Sequence, residues 1–366
     1  MTKKVLAAMS GGVDSSIAAY LLKEQGYDVV GATMCLGVKT TEGEQAKCCG
    51  PDAINDAKKV CQKLGIPHHI MDFADDLEEK VIKRFIHAYL SGNTPNPCID
   101  CNKYLKFEIL LKKALAMGFD YLATGHYACI KNEDGKYFLA RPKDPKKDQT
   151  YFLYTIDRNN FKNILFPLCS YKKNEIKDIA KKLGLSVADK EESQDICFVA
   201  KKDYPAFIIE RTKGANISPG LIMDMHNNII GEHKGFPFYT IGQRKGLGIS
   251  HAEPLYVVSI NAEKNQIVAG TKSDLKARAL IAGDLNFLID DVPEESLSAK
   301  IRYNHKAAKC VLKLIDDKCL VEFSQFQEAI TPGQSVVFYS GDVVVGGGTI
   351  EKVIKDSPKK ILTYQK

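Results

Sequence analysis

A short glycine-rich loop near the N-terminus has the residue types that bind phosphate. Ser10-Gly11-Gly12-Val13-Asp14-Ser15 lies directly between an apolar run typical of a strand and an amphipathic run typical of a helix. Glycines let backbone N–H groups turn inward, and the start of a helix presents further N–H groups to an anion. The two serine hydroxyls can also donate, whereas Asp14 would face a metal ion or a helix-start N–H. A plain strand–helix turn with a serine or aspartate cap is the alternative interpretation.

Thiols form the second group of residues that could do chemistry. Cys98 and Cys101 have C-x-x-C spacing at the predicted start of a helix, where the thiol pKa falls and the thiolate becomes available. Lys103 and Lys106 are close enough in sequence to favour the thiolate further. Cys197 is another candidate, although the acidic pair at 191–192 would oppose its ionisation. A zinc site would need a second cysteine or histidine pair, and a thioredoxin motif would follow a first strand, so neither is favoured.

The other cysteines are predicted to pack as small apolar side chains. Eleven cysteines are an odd number and too sparse for a disulfide scaffold, which indicates a reducing compartment. The packing assignment covers Cys35, Cys61, Cys129, Cys169, Cys310 and Cys319. The adjacent pair Cys48-Cys49, in a loop flanked by glycine, stays open between packing and chemistry.

Composition restricts the class of protein. The 366 residues indicate two or three domains, and 45% hydrophobic with 26% charged residues excludes disorder, collagen and coiled coil as the main character. A net charge of +6 permits a polyanionic partner without requiring one. The apolar runs are shorter than the roughly 18 residues of a membrane span. The N-terminal run leads into the glycine loop rather than a cleavage site, so a cytoplasmic protein is predicted, with no membrane partner.

The first 200 residues alternate predicted strands and helices. This order predicts an α/β fold with a parallel, Rossmann-like sheet, in which ligands bind beyond the carboxyl ends of the strands. The predicted strands are 5–9, 28–36, 68–72, 121–124, 136–141 and 151–155, and the predicted helices are 15–25, 51–64, 75–90, 101–117 and 175–183.

Glycine, proline and short alternating runs replace helical periodicity after about residue 205. Even spacing with turn signals predicts a small β-barrel or sandwich at the C-terminus. The predicted strands there are 299–303, 308–314, 319–323, 335–339 and 348–353. The boundaries give a catalytic domain over 1–205, a central mostly-β domain over 206–275 and a C-terminal β-barrel over 276–366.

The glycine loop resembles the pyrophosphate loop of ATP pyrophosphatases. It is neither a Walker A loop, since no Gly-Lys-Ser/Thr follows, nor the dinucleotide fingerprint G-x-G-x-x-G. ATP pyrophosphatases cleave ATP between the α and β phosphates and adenylate an oxygen, so the resemblance implies ATP and Mg²⁺ as cofactors. The loop motif alone does not distinguish between nucleotide-amidating synthetases, asparagine synthetases and tRNA sulfur-transfer enzymes.

Further motifs give the sequence a close resemblance, over essentially its whole length, to the bacterial tRNA-specific 2-thiouridylase family. The motifs are Gly11-Gly12-Val13-Asp14-Ser15-Ser16, Thr94-Pro95-Asn96-Pro97, Cys101-Asn102, Leu122-Ala123-Thr124-Gly125-His126-Tyr127, Lys147-Asp148-Gln149-Thr150-Tyr151-Phe152-Leu153, Ser193-Gln194-Asp195-Ile196-Cys197-Phe198, Tyr239-Thr240-Ile241-Gly242-Gln243-Arg244, Arg302-Tyr303 and Thr331-Pro332-Gly333-Gln334. The resemblance implies an ATP-pyrophosphatase domain, a small central β domain and a C-terminal β-barrel that binds tRNA.

The resemblance also implies a defined reaction. ATP adenylates the 2-oxygen of the wobble uridine of tRNA, and pyrophosphate leaves. Cys197 would carry a persulfide received from a cysteine desulfurase or a sulfur-relay protein, and its terminal sulfur, or hydrosulfide freed from it, would attack the activated carbon. Cys101 would be the nucleophile that completes sulfur release, leaving a Cys101–Cys197 disulfide to be reduced. The products are 2-thiouridine and AMP, and we expect the enzyme to be a monomer.

Matching by residue carries the family's binding positions onto this sequence. The ATP positions are Ala8, Met9, Ser10, Gly11, Gly12, Val13, Asp14, Ser15, Met34 and Gly125. The tRNA positions are Asn96, Pro97, Cys98, His126, Lys147, Asp148, Gln149, Arg302, Tyr303 and Gln334, and the first three would approach the flipped target base. From residue types alone, Met34 would be strand packing, His126 a strand-end histidine and the lysines of 143–147 a solvated loop. Arg302-Tyr303 in a barrel strand suits RNA, because arginine binds phosphate and tyrosine stacks on bases.

Three alternatives stay open. The best-known family members have aspartate at the position of Cys98, so Cys98, Cys101 and Cys197 could instead hold three irons of a 4Fe-4S cluster whose fourth iron binds hydrosulfide. A nucleotide amidotransferase of the same superfamily would need an ammonia source, and the sequence has no glutaminase-like region. A non-catalytic RNA-binding protein that keeps the loop as a relic would lack tRNA-dependent pyrophosphate release.

Overall fold

The computed structural model describes residues 2–37, 51–190, 196–199, 203–215, 217–293 and 296–355, so Cys48-Cys49 and 191–195 lie outside the described residues. The chain forms two compact units. The first comprises Met1–Ile82, Pro97–Lys202 and Asp342–Val344, and the second comprises Lys83–Asn96, Asp203–Gly341 and Val345–Lys366. A bilayer-spanning helix is not found among the described residues.

A five-stranded parallel sheet forms the centre of the first unit. Its strands are β1 (Lys4–Ala8), β2 (Asp28–Cys35), β3 (His68–Asp72), β4 (Tyr121–Ala123) and β7 (Ile164–Leu165). They lie in the order β3-β2-β1-β4-β7, and every neighbouring pair is parallel. Val5 and Leu6 on the central strand are fully buried, as an apolar run in a covered parallel sheet requires. The predicted Rossmann-like α/β class is confirmed.

Three helices pack on this sheet around one apolar core. They are α1 (Val13–Glu24), α2 (Pro51–Leu64) and α7 (Lys173–Lys182). Ile17, Val60 and Ile176, one from each helix, are at most 1% exposed within this core. Because α1 begins directly after β1, the core fixes the glycine loop at the carboxyl end of the sheet, where α/β folds bind ligands.

Two helical segments of the first unit contain π-helical stretches. One is α3 (Ala74–Leu77) with the π-helical residues Glu78–Ile82, and the other is α5 (Pro97–Asp100), the π-helical residues Cys101–Leu110 and α6 (Leu111–Ala116). The second segment begins at Pro97, four residues before its predicted start, so Cys98 lies in its first turn and Cys101 follows directly. Long π-helical stretches are rare, and shorter ones recur at functional sites.

A β-hairpin of the first unit was only half predicted. β5 (Cys129–Glu133) pairs antiparallel with β6 (Lys136–Ala140) around Asp134-Gly135, whose φ angles are both positive. An Asp-Gly turn with two positive φ angles is the type I′ turn that joins hairpin strands. The strand predicted at 151–155 is wrong. The segment Thr150–Phe152 is a 3-10 turn, because the Asp148 carboxylate accepts from both the Thr150 N–H and its hydroxyl.

The second unit contains two helices and a four-stranded mixed sheet. The helices are α4 (Lys83–Leu90) and α8 (Tyr204–Thr212), and the strands are β8 (Gly220–Met223), β9 (Ile229–His233), β10 (Tyr256–Asn261) and β11 (Gln266–Gly270), in the order β10-β11-β8-β9. Tyr89 on α4 stacks on Tyr204 of α8 with ring centroids 4.6 Å apart. The sequence analysis missed α8, whose signals are an Asp203 side chain that accepts from the Ala206 N–H and a proline in the first turn.

A six-stranded antiparallel barrel completes the second unit and confirms the predicted C-terminal barrel. Its strands are β12 (Lys276–Phe287), β13 (Leu297–Lys300), β14 (Ala308–Ile315), β15 (Lys318–Glu328), β16 (Ser335–Ser340) and most of β17 (Val343–Ile354), closed by pairing of β12 with β17. The placement of Arg302 and Tyr303 in a barrel strand is wrong. They follow the end of β13, because the chain turns there and the His305 N–H donates to the Arg302 carbonyl.

Candidate active site

The glycine loop leads from β1 into α1, as the sequence predicts. The N-cap of α1 is Gly12, which has no side chain, so this end of the helix is open to a ligand. Ser15 Oγ accepts from the Ser10 N–H at 3.1 Å and donates to the Gly12 carbonyl at 3.1 Å. These bonds close the loop on itself, and the left-handed φ of +70° at Gly11 completes the turn. The alternative of a serine or aspartate cap is wrong, since Gly12 occupies the cap.

The two remaining ATP positions lie at the carboxyl ends of β2 and β4, the strands on either side of β1. Met34 is the penultimate residue of β2 and is half-buried. Gly125 follows β4 and lies against the start of α1, where an added Cβ would come within 2.6 Å of the Ser15 nitrogen. Only glycine permits this approach, so the end of β4 and the loop lie side by side.

A buried lysine that the sequence analysis missed binds the loop. Lys173 Nζ donates to the two carboxylate oxygens of Asp14 at 2.7 and 2.8 Å, and the lysine side chain is only 8% exposed. The Tyr127 hydroxyl donates to Asp14 Oδ1 at 2.9 Å. Within the protein, Asp14 therefore meets a cation and a phenol. A buried ion pair carries a desolvation cost, which makes Lys173 a candidate functional group.

Lys173 had a weak signal in the sequence. It is the first residue of α7, where the positive end of the helix dipole disfavours a cation. Lys190 is a second lysine at the loop, where its Nζ donates to the Gly11 carbonyl at 3.3 Å and to Asp56 Oδ2 on α2 at 2.7 Å. Two ammonium groups thus lie at the loop, which suits a chain of phosphates.

The candidate catalytic thiols belong to the first unit. Cys98 is exposed and Cys101 half-buried near the start of the helical segment that begins at Pro97. Cys197 is half-buried in a turn at 197–199, between stretches that lie outside the described residues. The approach of Cys197 to Cys101 therefore stays a prediction.

The lysines expected to favour the Cys101 thiolate have other contacts. Lys106 Nζ donates to Asn102 Oδ1 at 2.9 Å, and Asn102 Nδ2 donates to the Phe152 carbonyl at 3.1 Å. Lys103 Nζ lies 5.0 Å from the centroid of the Tyr104 ring. Asn102 thus ties the helix after Cys101 to the turn that contains Phe152.

An assembled metal site is not found in the part of the chain that the structure describes. Within the described ranges there is no group of three Cys, His, Asp or Glu side chains placed to hold a metal ion. The Asp14 carboxylate is already bound by the Lys173 ammonium.

Three of the thiols assigned to packing, Cys61, Cys310 and Cys319, are buried as predicted. Burial raises the pKa of Cys61 to about 11, of Cys310 to about 12 and of Cys319 to about 11, so thiolate is scarce at neutral pH. The packing assignment of Cys129 and Cys169 is wrong, because they form a disulfide with Cα atoms 4.9 Å apart. Each follows one of two adjacent parallel strands, β4 and β7, so the topology brings them to the same end of the sheet.

We expect loss of this disulfide to destabilise the chain. It closes a loop of 40 residues, and closure of such a loop lowers the entropy of the unfolded chain by an amount worth about 4 kcal/mol. The double variant Cys129→Ser/Cys169→Ser should lose that much unfolding free energy in urea titration under oxidising conditions. Wild-type protein whose disulfide has been reduced should have the same urea midpoint as the variant. Coincident urea midpoints for oxidised wild type and the variant would contradict the assignment.

His126, an expected tRNA contact, is a neutral side chain packed in the first unit. Its Nδ1 lies 2.7 Å from Thr124 Oγ1, and its ring packs against Phe107 and Phe166 with centroids 5.9 and 6.0 Å away. Burial, and secondarily the Lys106 charge, hold the pKa of His126 well below its usual 6.5. At neutral pH this histidine offers a hydrogen bond rather than a positive charge.

The lowered pKa of His126 gives stability a pH dependence with a defined sign. The unfolded chain binds a proton below about pH 6.5 that the folded chain does not, so the unfolding free energy falls as the pH drops below that value. We expect His126→Gln to lose stability less steeply than wild type between about pH 6.5 and 5. Thermal melts across this range measure the two slopes, and parallel slopes would refute the assignment.

The predicted tRNA segment at 147–149 is tied to its own unit. Asp148 is buried and lies 3.5 Å from Arg141 Nη1. Gln149 Oε1 accepts from the Tyr127 N–H at 2.9 Å, and the Gln149 N–H donates to the Tyr127 carbonyl at 3.0 Å. Lys147 is half-buried in the same turn. Gln149 therefore positions Tyr127, whose hydroxyl donates to Asp14.

The predicted tRNA positions of the second unit also bind main-chain groups of the protein. Arg302 Nη2 donates to the Ala329 carbonyl at 2.6 Å and also contacts the Thr331 hydroxyl. The Gln334 amide donates to two carbonyls just before Asn96. Tyr303 lies with its ring centroid 5.6 Å from Lys300 Nζ.

The parallel sheet, with a glycine loop between β1 and α1, is that of a HUP-type domain. The family model described as the tRNA methyl transferase HUP domain matches residues 3–201. The PRC-barrel and aminomethyltransferase β-barrel models match 206–271 and 277–350. The chain belongs to the tRNA-specific 2-thiouridylase family, as its motifs predicted.

The relatives are similar over nearly their whole length. A tRNA-specific 2-thiouridylase MnmA of Carboxydothermus hydrogenoformans is 51% identical and aligns with 96% of this chain and 98% of its own. Its counterpart in Clostridium botulinum is 49% identical over 96% of this chain and 99% of its own. A solved 4-thiouridine synthetase–RNA complex with bound ATP is 16% identical, covers 58% of this chain and 51% of its own, and has a TM-score of 0.35, which is too low to support an argument.

Proposed function

We propose that the chain catalyses ATP-dependent 2-thiolation of the wobble uridine of tRNA, giving 2-thiouridine, AMP and pyrophosphate. The observation that carries this proposal is 51% identity with a 2-thiouridylase over 96% of the chain. The open glycine loop and the thiols near a helix start supply the chemistry that such a reaction needs. The three domains of the proposal are the catalytic domain to about 205, the central domain to about 275 and the tRNA-binding barrel.

The ATP phosphates bind along 8–15, with the adenosine near Met34 and Gly125. The loop N–H groups and the start of α1 donate to the phosphate oxygens. Lys173 and Lys190 offset their negative charge, and Lys173 moves partly from Asp14 toward the phosphates when the nucleotide arrives. Because the loop holds lysines rather than a carboxylate cluster, the magnesium ion enters as MgATP, bound by phosphate oxygens.

The first chemical step is transfer of AMP to the base. The uridine 2-oxygen attacks the α-phosphorus, and the bond to the β-phosphate oxygen breaks as pyrophosphate leaves. Donors fixed before the reaction stabilise the charge that develops on the phosphates. The target base is flipped from the anticodon stack and lies beside 96–98, so the 2-oxygen can reach the nucleotide.

The second step transfers one sulfur atom. The terminal sulfur of a Cys197 persulfide attacks C2 and displaces AMP, which leaves C2 joined to Cys197 through two sulfurs. The Cys101 thiolate then attacks Cys197 Sγ, and the electron pair of the broken sulfur–sulfur bond stays on the sulfur attached to C2 as the thiocarbonyl forms. The resulting Cys101–Cys197 disulfide needs a two-electron thiol reductant, and a cysteine desulfurase or sulfur-relay protein reloads Cys197.

The cluster alternative is the second candidate mechanism. It is favoured by the presence of Cys98 beside Cys101. Iron and sulfide analysis of anaerobically purified protein distinguishes the two routes. Four irons per chain would replace the persulfide route with the cluster route.

The test of the proposal is a reconstituted reaction with purified protein, unmodified tRNA, MgATP and a persulfide donor. We expect pyrophosphate release that depends on tRNA and one 2-thiouridine at the wobble position by nucleoside mass spectrometry. Amidated nucleotide instead would indicate the amidotransferase. Binding of tRNA without pyrophosphate release would indicate an RNA-binding relic. We further propose that the enzyme is a cytoplasmic monomer, which sedimentation of the purified protein and cell fractionation measure.

A further inference from the structure

The Cys129–Cys169 disulfide joins the two chain segments that hold Asp14. Tyr127, whose hydroxyl donates to Asp14 Oδ1, lies two residues before Cys129. Lys173, whose ammonium group donates to both Asp14 oxygens, lies four residues after Cys169. Lys173 Nζ also lies 5.8 Å from the centroid of the Tyr127 ring. The crosslink is therefore close in sequence to both side chains that fix the carboxylate at the glycine loop.

The chain between the crosslink and these side chains is short and folded. Tyr127 is 2% exposed and Cys129 is 6% exposed, so the first segment is packed in the protein. After Cys169 the chain completes a hydrogen-bonded turn and enters α7 at Lys173. A displacement of either sulfur atom is therefore passed on to the neighbouring Tyr127 or Lys173.

One irregular segment, 144–149, also makes hydrogen bonds to both sides. Asp144 Oδ2 accepts from the Lys173 N–H at 3.0 Å, and Gln149 Oε1 accepts from the Tyr127 N–H at 2.9 Å. This segment is partly exposed and lacks regular secondary structure. Hydrogen bonds of such a segment open locally more readily than a covalent bond does. The disulfide is therefore the firmer of the two links between the segments.

The disulfide can be opened by a dithiol reductant. Cys169 is half-buried, so its sulfur is the more accessible of the pair. A thiolate of the reductant attacks Cys169 Sγ, the bond to Cys129 breaks, and the Cys129 thiolate takes up a proton. The second thiol of the reductant then displaces Cys169 as a thiol. Two electrons pass to the protein, the reductant becomes a disulfide, and the reverse exchange closes the bond again.

We propose that the Cys129–Cys169 disulfide is a redox-sensitive positioning element for the Asp14–Lys173 pair, so that adenylation is fast when the bond is closed and slower when it is reduced. The proposal rests on the function proposed above, in which Lys173 offsets the negative charge of the ATP phosphates. Displacement of a positioning group by about 1 Å can cost about a hundredfold in rate. Reduction displaces Lys173 without removing it, so we expect a smaller loss of about tenfold.

The test is single-turnover, tRNA-dependent pyrophosphate release at saturating MgATP. Wild type is compared with Cys129→Ser/Cys169→Ser, each with and without prior reduction by dithiothreitol. We expect the ratio of the oxidised rate to the reduced rate to be about tenfold larger in wild type than in the double variant. Both proteins keep Cys101 and Cys197, so an effect of the reductant on that pair appears equally in both ratios.

The same comparison in Lys173→Met separates positioning from a general loosening of the fold. The ratio should fall to within about twofold of the ratio in the double serine variant, because the group that the disulfide positions is absent. Hydrogen exchange at the main-chain N–H groups of Tyr127 and Lys173 should accelerate when wild type is reduced. Reduced wild type carries no substitution, so with Lys173→Met as the reference it tests the proposal even if the double serine variant does not fold.

Three results would overturn the proposal. Equal ratios in wild type and the double serine variant would remove the role of the disulfide in adenylation. A ratio in Lys173→Met as large as in wild type would mean that the bond supports the fold without positioning the lysine. Unchanged exchange at Tyr127 and Lys173 on reduction would mean that the bond does not fix these segments. Failure of the proposed function is seen separately, because wild type in both redox states would then release no pyrophosphate with tRNA, while the exchange measurement would still report the link.

Discussion

The Cys197→Ser variant is expected to form 2-thiouridine at less than about a thousandth of the wild-type rate, because loss of a nucleophile acts on a step that no other group performs. A serine hydroxyl cannot carry a persulfide sulfur. Adenylation does not use this thiol, so tRNA-dependent pyrophosphate release and tRNA binding should continue, and adenylated tRNA should accumulate. Nucleoside mass spectrometry and a pyrophosphate assay on the same reaction measure the two steps.

Cys98→Asp separates the persulfide route from the cluster route. Aspartate stands at this position in the best-known family members, so the variant should still produce 2-thiouridine if Cys197 is a persulfide carrier. A cluster held by Cys98 would be lost in this variant, and thiolation would stop.

The prediction for Cys197→Ser has its own contradicting result. Normal 2-thiouridine formation by that variant would contradict the role given to Cys197 as the persulfide carrier.

Lys173→Met is expected to slow adenylation by about a hundredfold to a thousandfold, the usual cost of removing one fixed donor from a developing negative charge. The ammonium group lies at the loop through Asp14, 2.7 Å away, in a site that is largely closed to water. The matched control is Lys177→Met, an exposed lysine one turn further along α7. Single-turnover pyrophosphate release at saturating MgATP measures the effect, and equal rates in the two variants would refute it.

A second variant separates the charge of Lys173 from its effect on the fold. Lys173→Met alone leaves the Asp14 carboxylate without its cation, so some stability is lost. Asp14→Asn/Lys173→Met removes both charges and should recover thermal stability without recovering adenylation. Recovery of adenylation in the double variant would mean that Lys173 only neutralises Asp14.

The parts of the site that were predictable are local in sequence. The glycine loop needs one strand, one turn and one helix start, and all three have signals within about 20 residues of each other. The helix start at Pro97 similarly follows from a proline beside the C-x-x-C spacing. Such features depend on backbone conformations that neighbouring residues determine.

The parts that could not be predicted depend on topology. Asp14 and Lys173 are 159 residues apart, and only the packing of α7 against α1 brings them together. The Cys129–Cys169 pair likewise exists because β4 and β7 are neighbours in the sheet. Spacing along the chain holds no information about either contact, so the expected packing role of these cysteines was wrong.

Some secondary-structure errors could have been avoided, because the sequence contains features that indicate the observed structure. Asp134-Gly135 between two strand-like runs is a hairpin turn, and it would have predicted β5. The strand predicted at 151–155 rested on aromatic and β-branched residues, which favour strands. The Asp148 carboxylate instead accepts from the Thr150 N–H and stabilises a 3-10 turn there.

The measurement that tests the account most directly is a single turnover of protein whose Cys197 persulfide carries ³⁴S, with unmodified tRNA and MgATP. The account predicts that the label appears in one 2-thiouridine at the wobble position and that one Cys101–Cys197 disulfide forms for each base modified. Unlabelled 2-thiouridine, or thiolation with both thiols still reduced, would contradict it.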